Sequence, residues 1–235
     1  MASTALISSR RIEGRRISNL KEVDQILDRQ RRLAVMASNG NRMYSIIDLG
    51  LLVEQCREDA KSKILACYSE TLVVSPASEE LVLHAAAELR VSPLNTIQLV
   101  QDYPECIYHM NNGMLPLHLV VAATGIDHAG RVKAFLSVFP ESAKVLDARE
   151  LLPVQIALLH GAEWDVVKLL IEAFPLALQY PFLPCAHPIQ DHFSEFIGMK
   201  PFLLACSLNY SLNSLFQLLA GSPDSITDSW RIHDG

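Results

Sequence analysis

Two histidines occupy the same place in a recurring four-residue phrase, Leu81-Val82-Leu83-His84 and Leu115-Pro116-Leu117-His118. A neutral imidazole carries one donor and one acceptor, so at a turn-to-helix junction it can bridge two backbone groups. A second set of reactive side chains, Cys185, His187, Asp191 and His192, lies in a stretch punctuated by Pro181, Pro184 and Pro188. Thiolate and imidazole both ligate zinc, and Cys-x-His brings two ligands together, but no cysteine pair or fixed spacing completes a four-ligand set. The stretch reads as a solvated connection or a partner-contact loop ahead of a metal site. Arg15-Arg16-Ile17-Ser18 fits a basophilic kinase site, with Ser18 just before an expected helix N-terminus, where phosphate is favourable. No phosphate-cradling glycine loop, nucleophile elbow, paired-carboxylate pattern or H-E-x-x-H appears among the ten glycines and scattered acids. The expectation is a protein that is not an enzyme and needs no cofactor or metal.

The elements that would position these groups recur. Leu81, Leu115, Leu152 and Lys200 each open a short apolar run, and a second apolar run closes on Pro104, Pro140, Pro175 and Pro223. Opening and closing residues lie 23, 25, 23 and 23 residues apart. Such spacing marks stacked repeats and points to binding. Each unit reads as two short antiparallel helices. Pro116, Pro153 and Pro201 fall at the first helical turn, where the missing N–H has no partner to lose, while the first repeat has Val82 there. Ala86, Val120, Ala157 and Ala205 let neighbouring first helices approach closely. Tyr103-Pro104, Phe139-Pro140 and Phe174-Pro175 should stop the second helices and turn an aromatic ring back onto the core.

Charge and composition set limits. The 235 residues carry a net charge of −6, half of them are hydrophobic, and no apolar run is long enough to span a membrane. Residues 1–33 hold eight basic against four acidic residues, which leaves the remainder at −10, a sign that repels nucleic-acid backbones. Five dispersed cysteines suit reduced thiols in a cytoplasmic or nuclear protein.

Ahead of the repeats, residues 1–18 read as a flexible basic tail, a reading favoured over the organellar transit peptide whose composition they share. Residues 19–77 read as a helical capping region. Asn19 to Glu22 has the form of a capping box that starts a helix, Ser38-Asn39-Gly40-Asn41 stops it, and a second helix comes next with a possible break near Gly50. This amphipathic region would cover the first repeat or, alternatively, dimerise. The chain continues about a dozen residues past Pro223, which reads as a polar C-terminal cap or the lead into further repeats.

The phrase Leu115-Pro116-Leu117-His118, preceded by Asn112-Gly113, resembles the Thr-Pro-Leu-His turn of the ankyrin-repeat family. His160-Gly161 and Val166-Val167-Lys168-Leu169-Leu170 are similar to that family's inter-helix glycine and second helix. The aromatic-proline endings resemble a divergent ankyrin-like class found in microalgal proteins. Glu150 departs from the family, standing where the turn glycine belongs, and a distorted third hairpin is expected there. The resemblance implies an all-α ankyrin-like helical-repeat solenoid over 78–235, with repeats at about 78–107, 108–144, 145–180 and 195–228 and a loop inserted at 176–199. It implies recognition of another protein by turns and first helices, as a scaffold or adaptor. The residues placed there are Asn111, Asn112 and Met114 in the second turn, Asp147, Arg149 and Glu150 in the third, and His160 at the end of a first helix. Alternatives are a structural subunit held through the N-terminal helices and, more weakly, a cryptic metal-binding protein.

Overall fold

In the computed structural model the described residues are 2–39, 46–72, 78–183 and 196–223, with side chains described outside 2–17, 46–49 and 68–72. They form an all-α protein: ten helices, and no strand beyond one isolated bridge between Asn111 and Met114. No described helix is long and apolar enough to cross a membrane. The chain divides into two compact units, Met1–His109 and Met110–Gly235.

The first unit opens with two long helices, α1 (Ala2–Ser38) and α2 (Ile46–Leu72), packed along each other. Four expectations are corrected here. Residues 2–18 are helical and continuous with the rest of α1, because nothing from Ala2 to Ser38 is a proline and Gly14 is the lone glycine. Asn19 therefore lies inside α1 and starts no helix, and Ser18 is an exposed mid-helix residue without the N-terminal position that would favour a phosphate. Gly50 does not break α2; a single glycine costs about 1 kcal/mol, which a 27-residue helix packed on a neighbour absorbs.

The helical region groups with the first sequence repeat in one compact unit that ends at His109. Val23, Leu27, Cys56, Ala60 and Ile64 are fully or almost fully buried. They join α3 (Val82–Leu89), whose residues are buried on nearly every side, and α4 (Pro93–Asp102). Burying each large aliphatic side chain contributes about 1.5–3 kcal/mol, which holds long helices to the unit far more firmly than propensity does. Polar contacts set the register. Gln30 Nε2 and Arg57 Nη2 donate to the Asp102 carboxylate at 2.8 and 3.3 Å, and Asn95 Nδ2 donates to Asp24 at 2.7 Å. Lys61, almost buried, is paired with Glu58 at 2.7 Å and Glu79 at 3.0 Å, which hold its ammonium charged far above the usual lysine range.

The second unit holds three helix pairs: α5 (Pro116–Ala122) with α6 (His128–Val138), α7 (Pro153–Leu159) with α8 (Trp164–Ala173), and α9 (Pro201–Ser207) with α10 (Leu212–Gly221). Pro116, Pro153 and Pro201 are the first residues of their helices, as their spacing requires. Val120, Ala157 and Ala205 are 0–1% exposed, the small contact positions expected of first helices.

The closing prolines do more than stop helices. After Tyr103, Phe139 and Phe174, which have left the helical conformation, they begin short 3-10 turns, Pro104–Ile107, Pro140–Lys144 and Pro175–Gln179. Tyr103 and Phe174 are buried as expected, while Phe139 is half-buried. The turns carry Ile107, Ala143 and Leu178 into the interior, so each repeat reaches the core once more after its second helix has ended.

Candidate functional site

The site expected from the sequence lies on the turns of the second unit. In the second turn Asn111 and Met114 exchange backbone hydrogen bonds, Asn111 N–H donating to Met114 at 2.9 Å and the reverse at 3.0 Å. Asn112 and Gly113 between them take φ of 50° and 72°, the left-handed pair that a two-residue hairpin of this hand demands. A Cβ on Gly113 would stand 2.7 Å from the Cβ of Ala148, so the second and third turns lie side by side.

The third turn closes without a glycine. Asp147 N–H donates to Leu151 O, and Glu150 N–H donates to Asp147 O, both at 2.9 Å. Glu150 adopts φ 62°, the left-handed position of a three-residue loop. The turn is one residue wider than the second, a departure of the kind Glu150 leads one to expect, and Asp147 holds it together. Its Oδ1 accepts from the Arg149 and Leu151 N–H groups at 2.8 and 3.0 Å, and its Oδ2 accepts from Arg149 Nε and Nη2 at 2.8 and 2.7 Å.

Asp147 is thus 5% exposed and fully engaged, which corrects its placement among the surface contact residues. Arg149 is half-buried because it answers that carboxylate, while Asn112 and Glu150 are exposed and Asn111 and Met114 are half-buried. His160 is exposed at the end of α7, and partial burial together with the nearby Arg149 charge lowers its pKa.

Beneath the turns two side chains perform the same bridge with different chemistry. His118 Nδ1 accepts from Leu115 N–H at 2.9 Å, and its Nε2 lies 2.9 Å from Val145 O. The first contact leaves Nδ1 no proton, so Nε2 carries it and donates across to the next repeat. In the third repeat Gln155 Oε1 accepts from Leu152 N–H at 2.9 Å, while its Nε2 donates to Tyr180 O at 3.3 Å. Burial lowers the pKa of His118, only partly opposed by its bond to Val145, and keeps it neutral; His128, hydrogen-bonded to Val120 O at 2.9 Å, is lowered for the same first reason. His84 is fully buried with its ring edge-on to His109 at 6.1 Å.

Several contributors escape sequence reasoning. Tyr210, just ahead of α10, directs its hydroxyl at the carbonyls of Ala157, Leu158 and Ala162 at 3.1–3.4 Å, locking α7 to the last helix pair. Burial pushes its phenol up to about 12. Met110, Leu146 and Tyr180 are 46%, 37% and 45% exposed, and they lie six, six and five residues beyond the closing prolines. That register was the signal that could have found them.

The insert's ends are paired: Phe182 N–H donates to Met199 O and Gly198 N–H to Phe182 O, both at 2.8 Å. Cys185, His187, Asp191 and His192 lie outside the described residues. Among the described residues no group of three His, Cys, Asp or Glu side chains is placed to hold a metal.

Comparison with models of known families, with curated proteins and with solved structures gives no match.

Proposed function

We propose that this chain is a protein-recognition scaffold or adaptor, an ankyrin-like repeat array that binds another protein along the turn edge of its second unit. One observation carries the reading. Met110, Leu146 and Tyr180 follow the closing prolines by six, six and five residues and are substantially exposed; the turns directly after Met110 and Leu146 present Asn112 and Glu150, and His160 is exposed at the end of α7. An apolar row with a polar border is the composition of a protein interface. The buried polar groups next to it, Asp147, His118 and Gln155, have their hydrogen-bonding capacity spent on backbone and on Arg149, so they hold the edge in shape.

The alternative, a subunit held permanently through its N-terminal helices, needs a free apolar face there. Val23, Leu27 and Ile64, the central residues of that face, are fully buried within the first unit, which favours a capping role.

The test is affinity capture from source-cell extract with the wild type and with a variant carrying Leu146→Ser, Tyr180→Ser, Glu150→Gly and His160→Ala. Glycine at 150 keeps the left-handed turn that alanine would strain. A partner that holds to the wild type and is lost from an equally helical variant is the expected result. Equal capture by both would remove the turn edge as the binding surface.

A further inference from the structure

The last helix pair has an apolar outer face. Phe202 from α9 and Leu212, Leu215, Phe216 and Leu219 from α10 line a groove of about 200 Å³, with Leu212 75% and Phe216 69% exposed. The sequence register sets this face apart from the second and third repeats, while the first repeat also has an exposed apolar residue at one of its places, Ile97. Seven residues before the closing proline, the second and third repeats carry exposed Lys133 and Lys168, whereas the fourth carries Phe216. Val154, beside the proline that opens α7, and Val167, eight residues before its closing proline, are 1% and 0% exposed. Their equivalents Phe202 and Leu215 are only half-buried. A helix face without a packed neighbour normally turns polar side chains to water. Here an apolar side chain replaces the solvent-facing lysine at the place where cover is missing.

We infer that the groove is a docking site for residues 224–235 of the same chain, with Trp230 as the inserted side chain. Those residues lie outside the described ones and begin directly after Pro223, four residues beyond Leu219. Trp230 is seven residues beyond Pro223, a reach of up to roughly 23 Å when extended, and α10 is roughly 15 Å long. The groove falls below the ~300–1,000 Å³ of a small-molecule pocket, so it suits a single large side chain. A short tether supplies the segment at an effective concentration on the order of millimolar, sufficient for one aromatic anchor. The inference is independent of what binds the turn edge.

Trp164 and Trp230 are the two tryptophans of the chain, so Trp164→Phe leaves Trp230 as the reporter in the full-length protein. Its emission and acrylamide quenching would be read at a concentration where light scattering gives a monomer. The expected result is blue-shifted emission with quenching several-fold weaker than in urea, and a shift towards the urea value with Phe216→Lys. That substitution installs the residue the second and third repeats already carry. Leu212→Lys, at the other end of the groove, serves as the second variant, with circular dichroism confirming the fold of both. Quenching equal to that in urea, or protection that survives both lysine variants, would overturn the inference. Protection that appears only as the mass doubles would overturn it too, by assigning the groove to a second copy.

Discussion

The second and third turns of the Met110–Gly235 unit reach the same backbone outcome by different means. The second is a two-residue hairpin whose centre, Asn112-Gly113, accepts left-handed angles at little cost. The third is one residue longer, and that residue is already visible in the sequence: 12 positions separate Pro140 from Leu152, against 11 from Pro104 to Leu115. It places the strained conformation on Glu150, and the buried Asp147 carboxylate offsets the strain with four charge-assisted contacts. One turn is made by backbone freedom, the other by a side chain. The bridges beneath them differ in parallel: His118 can be protonated and Gln155 cannot, though both take one N–H and give one to the following repeat.

The sharpest break in that comparison is Asp147→Ala, which leaves the buried Leu151 N–H and the Arg149 guanidinium without their acceptor. It should cost about 3 kcal/mol in urea denaturation.

Next comes His118→Ala, which removes both halves of a buried bridge and should cost about 2 kcal/mol. His118→Gln copies the solution of the third repeat and should stay close to wild type at pH 8. Burial sets the sign of the pH effect. The folded-state pKa of His118 is depressed below its unfolded value of ~6.5, so its contribution is complete above that value. The contribution is lost as the pH falls through ~6.5 towards the lower folded pKa, where protonation also destroys the acceptor that Leu115 N–H needs. Thermal midpoints measured between pH 8 and pH 5 should therefore fall less steeply for His118→Gln than for the wild type. An unchanged slope would place the acid sensitivity elsewhere, with His128 the next buried imidazole to examine.

The smallest effect expected is a gain. Glu150→Gly relieves a left-handed non-glycine residue and should stabilise the unit by about 0.5–1 kcal/mol, visible as a raised urea midpoint. If Glu150→Gly proves destabilising, the third turn depends on the Glu150 side chain and not only on Asp147.

Much of this is legible in the sequence where the signal is local. Proline at residues 116, 153 and 201 marks helix starts because its missing N–H is harmless only there. Aromatic-proline pairs mark helix ends because the residue before proline avoids the helical region, and Asn112-Gly113 marks a turn because both residues tolerate positive φ. The start of α1 is not legible in this way, because a capping box describes how a helix can begin and does not forbid one that is already running. Asp147 escapes for a related reason. In sequence it is an acidic residue among turn residues, and whether it faces water or the Leu151 N–H depends on the path of the loop.

The sequence by itself determined the all-α class, the period of the repeats and the placement of most helix ends, since these depend on one residue's geometry or on the spacing of apolar side chains. The tertiary structure alone decided which polar residues are consumed and which remain available. It buried Asp147 against Arg149, tied His118 to Val145 and Tyr210 to three carbonyls, and left Leu212 and Phe216 open. The cause is that desolvation and hydrogen bonding act between residues distant in the chain: 27 positions separate His118 from Val145, and 52 separate Tyr210 from Leu158. Local spacing carries no record of such partners.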